Sequence, residues 1–230
     1  MRDVGPLIAS GRDADIFDFG PGLVLRRTTT GRSLEVEARV MEYARGCGYP
    51  VPRVHDVAGS GRDLVMDRVD GPSMLDAMAA RPWTIGRQGR ALAALHRSLH
   101  SIPAPEWVAP AGAGTGATLV HQDLHPMNVL LGPDGPVVID WSNAAAGTAD
   151  GDVALSWALM AAGRVEGGAP RRALTLVARR WLVRSFLSGV DRAGAAAALT
   201  TVVTWKAHDP HMSTSEVTAM RALASRESRA

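Results

Sequence analysis

Residues 119–131 read LVHQDLHPMNVLL, in which apolar, strand-like runs enclose a knot of polar groups: His121, Gln122, Asp123, His125 and Asn128. Driving that many polar groups into apolar surroundings is unfavourable unless they satisfy one another or hold something else. Asp123 and Asn128 are five apart with Pro126 between them, so the segment is a loop and not a helix face. Twelve residues after Asn128, at the end of the run Val137-Val138-Ile139, comes Asp140. A few hard oxygen donors from Asp and Asn suit Mg2+ that keeps waters and takes its remaining ligands from phosphates. Asn128 and Asp140 are therefore candidate metal ligands. Asp123 is the candidate catalytic group, free to orient or deprotonate an attacking hydroxyl. The alternative is an Asp and an Asn that serve only as caps in an ordinary β-hairpin loop.

The surrounding chain has 230 residues, enough for one domain or two small lobes. Hydrophobic content of 46% and charged content of 21% describe a globular chain rather than a disordered one. A net charge of +2 calls for neither nucleic acid nor an anionic membrane as partner. The 25 basic residues include a single lysine, Lys206; with the abundant alanine this reads as a coding bias, which weakens the reading of any one arginine as chosen for its fork-shaped donors. The one cysteine, Cys47, excludes an intrachain disulfide and a Cys-based zinc cluster; between Gly46 and Gly48 it reads as a small filler at a helix end. No signal-type apolar segment opens the chain and no run reaches membrane-spanning length, which predicts a cytoplasmic address.

The pattern of elements predicts two lobes. Ile16-Phe17 and Leu23-Val24-Leu25 flank the turn Gly20-Pro21-Gly22 as a hairpin. Helical periodicity runs over 33–45, with Leu34, Ala38, Met41 and Ala44 near one face, and strands follow at 54–57 and 64–69. After Gly71-Pro72 helices dominate, at 73–80, 85–99, 149–163, 170–189 and 193–206, with a last one capped by Ser213 and Glu216. Only 118–120, 129–131 and 137–139 interrupt them as strands, the last two joined by the turn Gly132-Pro133-Asp134-Gly135. The expected fold is α+β: an N-terminal lobe, 1–69, of antiparallel sheet with one helix, and a mainly helical C-terminal lobe, 70–230.

His121-x-Asp123 followed by Asn128 and then Asp140 is the order of catalytic and metal groups in protein kinases. The stretch HQDLHPMNVLLGPDGPVVIDW resembles the catalytic segment of the aminoglycoside phosphotransferase family, the small-molecule branch of the protein-kinase-like fold. Trp141 after the metal Asp favours that branch over protein kinases. GTADGDVA, residues 147–154, resembles the family's G-D-P-x-x-D-[LV]-A segment, with Thr148 and Ala149 in place of its first Asp and Pro. Asp152 falls on its last Asp, which in kinase-like folds holds the catalytic loop through backbone amides. The alternative for Asp152 is an acid favoured at a helix N-terminus.

The resemblance implies a bilobal kinase-like fold and further roles. Arg26 stands where the family has a lysine on the α- and β-phosphates of ATP, and Glu37 where a helix glutamate pairs with that base. Residues 50–54, PVPRV, resemble the strand entry after this helix, and 64–71 resemble the hinge, where backbone groups near Asp67 and Val69 meet adenine. His125 matches a kinase lysine directed at the transferred phosphate, or else fills the loop; His121 packs in the core. Gly11 and Arg12 are candidates for the phosphate-covering loop, and a plain turn reads equally well there.

Together these features predict an ATP- and Mg2+-dependent phosphotransferase acting on a hydroxyl of a small molecule. An aminoglycoside acceptor would make it an antibiotic-resistance enzyme. Residues 150–230 hold 11 Lys and Arg against 7 Asp and Glu, which argues against a highly cationic acceptor. A kinase of another metabolite, and a kinase-like nucleotide-binding module without catalysis, are the alternatives. Acceptor identity, ATP against GTP, and oligomeric state are left open by the sequence.

Overall fold

The computed structural model describes residues 4–11, 13–163 and 168–229. In chain order the first elements are β1 (Leu7–Ser10), β2 (Ala14–Asp18), β3 (Leu23–Thr28), α1 (Glu35–Gly46), β4 (Val54–Ala58) and β5 (Asp63–Asp67). Next come α2 (Met74–Ala80), α3 (Ile85–His100), β6 (Thr118–Val120), β7 (Val129–Gly132), β8 (Gly135–Val138) and β9 (Ala145–Gly147). Four helices close the chain: α4 (Ala149–Ala162), α5 (Ala169–Leu187), α6 (Arg192–Lys206) and α7 (Thr214–Glu227). Two compact units result, Met1–Pro72 with Val129–Ser142, and Ser73–Asn128 with Asn143–Ala230.

The first unit is an antiparallel sheet of order β1-β2-β3-β5-β4. Its inner strand β3 is flanked on both sides, Arg26 lying opposite Ile16 of β2 and Leu64 of β5. Helix α1 buries Leu34, Ala38, Met41 and Ala44, the stripe its periodicity predicts, and it also buries Val40 and Glu37. Glu35, two residues away, faces solvent. Cys47 is exposed at the C-cap of α1 rather than packed as a filler, because Gly48, at φ +83°, turns the chain away there. β7 and β8 pair across Gly132 and Gly135 and attach to the same unit, Val138 N–H donating to Pro50 O (2.8 Å) and Leu131 N–H to Pro72 O (2.9 Å). Gly71 permits this: a Cβ there would overlap the carbonyl oxygen of Leu131.

In the second unit α4 is buried along most of its length, as its nearly continuous apolar sequence demands, and it packs against α6 and α7. Helices α3 and α5 cross closely at Gly89, where a Cβ would stand 2.8 Å from Ser185 Cβ and 2.9 Å from Leu182 O. Ser213 and Glu216 form the expected capping box at α7. The α+β architecture expected from the sequence is the one observed. Two strands lay beyond its reach. β1 is an exposed edge strand, and β9, Ala-Ala-Gly, lacks strand-forming residues and exists through its pairing with β6. Among the described residues no helix is long and apolar enough to cross a membrane.

Candidate active site

Asp123, His125 and Asn128 come together in the second unit. Leu119, Val120, Leu124 and Val129 are all buried, so apolar anchors pin the polar loop on both sides. The side-chain amide of Asn128 donates to Asp123 O (2.8 Å) and to Asp123 Oδ2 (3.1 Å), which leaves its amide oxygen as the donor that a hard cation takes. His125 Nδ1 lies 3.3 Å from Met127 N–H, and Nε2 stands 3.5 Å from Asp123 Oδ1. Burial alone would raise the Asp123 carboxyl. The hydrogen bond and charge of His125, then the charges of His121 and Lys206, outweigh burial and hold it below the usual range.

The loop is fastened to α4. Asp152 Oδ1 accepts Gln122 N–H (2.7 Å), and Oδ2 accepts His121 N–H (3.4 Å) and His100 Nε2–H (2.9 Å). Ser156 Oγ donates to Leu124 O (2.7 Å), and His96 Nε2 lies 3.3 Å from the same oxygen. Backbone groups on both sides of Asp123 are thus held by one buried helix and its neighbour α3. Burial pushes Asp152 up, but the hydrogen bond from His100 and the positive field of His96 and His100 keep it well below the carboxylate range. Gln122 holds φ +60°, an uncommon conformation for a side chain of its size, stabilised by its N–H to Asp152 and its amide to Asn143 O (2.7 Å). Thr148 caps α4, its side chain accepting from Gly151 N–H (3.1 Å). His121 is fully buried in the core.

Arg26, Glu37 and Asp140 come together in the first unit. The guanidinium of Arg26 divides its fork, Nη1 pairing with Glu37 and Nη2 with Asp140 Oδ1 at 2.9 Å. A lysine could not bridge two carboxylates with this planar geometry. Burial holds Glu37 above the ordinary carboxylate range, against the pull of Arg26 and with the Asp140 charge adding to the shift. Asp140 lies just past β8 at φ +62°, with Ser142 Oγ donating to Oδ1 (3.0 Å). Among the described residues no donor reaches its Oδ2, and the side chain is 40% exposed. The next residue, Trp141, anchors this turn: it is buried, donates Nε1–H to Val138 O (3.1 Å), and meets Tyr49 edge-on at 5.6 Å.

Asp67 and Val69 are at and just beyond the end of β5. Asp67 pairs with His55 Nε2 at 2.6 Å, and its N–H donates to Arg53 O. Gly11 N–H donates to Ala14 O in the turn between β1 and β2; Arg12 lies outside the described residues. His96, His100 and Ser156 were not expected from the sequence, and Gln122 was expected only as one member of the polar knot. Only the i, i+4 histidines of α3 gave any signal of them, since tertiary register decides what each one meets.

The model of the phosphotransferase enzyme family matches residues 5–116 and 109–184. No curated protein matches the chain. Among solved structures, a thermostable mutant of aminoglycoside phosphotransferase APH(4)-Ia, in ternary complex with AMP-PNP and hygromycin B, is similar with TM-score 0.64 and 14% identity over 97% of this chain and 92% of that one. The amicoumacin kinase hAmiN, in complex with AMP-PNP, Ca2+ and Ami, gives 0.56 and 12% over 97% and 87%. A choline/ethanolamine kinase family protein from Mesorhizobium loti gives 0.55 and 17% over 97% and 85%. At these identities the structural likeness speaks for the fold, whereas the family match spans most of the sequence. The chain belongs to the phosphotransferase enzyme family.

Proposed function

We propose that the chain transfers the γ-phosphoryl group of ATP to a hydroxyl of a small molecule, with Asp123 orienting that hydroxyl and taking its proton late. The observation that carries this reading is the state of Asp123: a carboxylate kept charged, oriented by Asn128 and His125, on a loop fastened on both sides. Phosphoryl transfer needs positioning more than base strength, and a fixed, ionised acceptor of the hydroxyl proton meets that need. ATP or its analogue AMP-PNP as ligand is supported by the nucleotide-bound relatives of the same fold.

The amide oxygen of Asn128 and Oδ2 of Asp140 are hard donors without a protein partner among the described residues, and this donor set fits Mg2+. Mg2+ would supply charge neutralisation of the phosphates. Arg26, steadied by Glu37, is assigned to the α- and β-phosphates, His125 to the transferred phosphate, and the backbone near Asp67 and Val69 to adenine. The lone cysteine and the absence of a membrane-spanning helix among the described residues accord with a cytoplasmic setting.

The relatives act on chemically diverse acceptors, so the acceptor is defined here only as a hydroxylated small molecule. ADP formation across a panel of aminoglycosides, amino alcohols and sugars, with Mg2+ and with chelator, tests the assignment. Acceptor-dependent, Mg2+-dependent turnover is expected. ATP binding without transfer to any member of a broad panel would favour a nucleotide-binding module instead.

A further inference from the structure

The net charge of +2 averages over an uneven distribution. Helix α3 has three arginines and α5 has five, and neither contains a single acid. In α5, Arg179 is used internally, donating to Ala161 O (2.9 Å) and to Gly163 O beyond the end of α4. The other four, Arg171, Arg172, Arg180 and Arg184, are exposed, and among the described residues none pairs with a carboxylate.

Only the C-terminal half of α5 is buried, through Leu182, Ser185 and Phe186 against α3. Its first two and a half turns lie open. There Leu174, Val177 and Trp181, spaced three and four apart and so on one face, are 70%, 62% and 45% exposed. Trp181 lies across Gly86 of α3, where a Cβ would come within 3.1 Å of the indole nitrogen. One turn before Gly86, Trp83 is 73% exposed, the most exposed large apolar side chain described. Leu174, Val177 and Trp181 thus form an exposed apolar row on an acid-free, arginine-bearing helix, with Trp83 exposed just before α3.

We propose that this face docks the enzyme on an anionic lipid surface, with α5 lying in the headgroup plane. The chemistry points to lipid for three reasons. A second copy seated here by a two-fold axis would oppose arginine to arginine. A nucleic acid would use the arginines but leave the apolar row in water. An interfacial helix uses both: Leu and Trp enter the headgroup boundary while arginine stems reach anionic headgroups. The helix has 19 residues, a length of about 28 Å along such a plane. This inference does not depend on which acceptor the enzyme uses.

Co-sedimentation of the full chain with phosphatidylcholine vesicles containing about one third phosphatidylserine tests it, with pure phosphatidylcholine vesicles alongside. Binding is expected to the anionic vesicles, weakened by salt, and little to the neutral ones. The exposed double variants Leu174→Ser/Val177→Ser and Arg180→Glu/Arg184→Glu should each lower anionic-vesicle binding about tenfold or more, with the thermal midpoint unchanged. No binding of the parent at low salt overturns the proposal, as do variants that bind like the parent. Light scattering that shows a dimer broken by Leu174→Ser/Val177→Ser, without vesicle binding, assigns the face to a second copy and overturns it equally.

Discussion

Arg26 reaches two carboxylates from the middle strand of the sheet, and this division of its fork sets what its replacement should do. With Glu37 it forms a buried pair, and Glu37→Ala leaves it only the partly exposed Asp140 as partner, which should destabilise the first unit by about 1–3 kcal/mol, read by urea denaturation. Arg26→Lys keeps one charge for Glu37 but loses the bridge to Asp140. It should retain ATP turnover within about tenfold, whereas Arg26→Met should lower it by about 10² or more. Asp152 bears on pH. Its carboxyl is depressed in the folded state, so its stabilising contribution is complete above the ordinary Asp value, near 3.9, and is lost as pH falls from there through the native value. Asp152→Asn should therefore be less stable at pH 7 yet lose less stability on acidification, measurable as thermal midpoints across the acid range. The assignments of Asp123, Asn128 and Asp140 come from the sequence itself, as the residue types and order that phosphoryl transfer calls for. Glu37 stood out only beside Arg26. Gln122 and Asp140 at positive φ, and His100 against Asp152, were not legible, since backbone strain and tertiary register leave no mark in composition.

Among the elements, periodicity marked the amphipathic helices, α1 and α3, within a residue or two, and the Gly-rich turns marked the hairpins β2–β3 and β7–β8. β9 shows why a short strand escapes such reading. Its sequence favours nothing, and it is held by β6 on one side and Pro110 on the other. The attachment of β7 and β8 to the first unit was equally hidden, since helices α2 and α3 and strand β6 separate those strands in the chain from the rest of that unit, which ends at Pro72. That attachment depends on Gly71, whose missing Cβ lets the chain pass against Leu131 O. Gly71→Ala should force the two backbones apart and destabilise the first unit by about 1–3 kcal/mol, seen as a lowered denaturation midpoint. By contrast, Ser213→Ala removes only the cap of α7 and should cost about 1 kcal/mol without altering catalysis.

For the whole molecule, family membership speaks for phosphoryl transfer, and each of the two compact units organises its own set of the assigned groups. Asp140 and Arg26 belong to one, Asp123 and Asn128 to the other, and each set is organised by its own unit: Trp141 under Asp140, and Asp152 with Ser156 under the Asp123 loop. Removing divalent cations should therefore abolish turnover while leaving the thermal midpoint of each unit nearly unchanged, because both sets are hydrogen-bonded within the protein alone. The most direct test is acceptor-dependent ADP formation by the parent, Asp123→Asn and Asp140→Ala, with folding checked by circular dichroism. Folded variants slowed by about 10²–10⁴ are predicted. Variants that turn over at the parent's rate would contradict the assignment of Asp123 and Asp140.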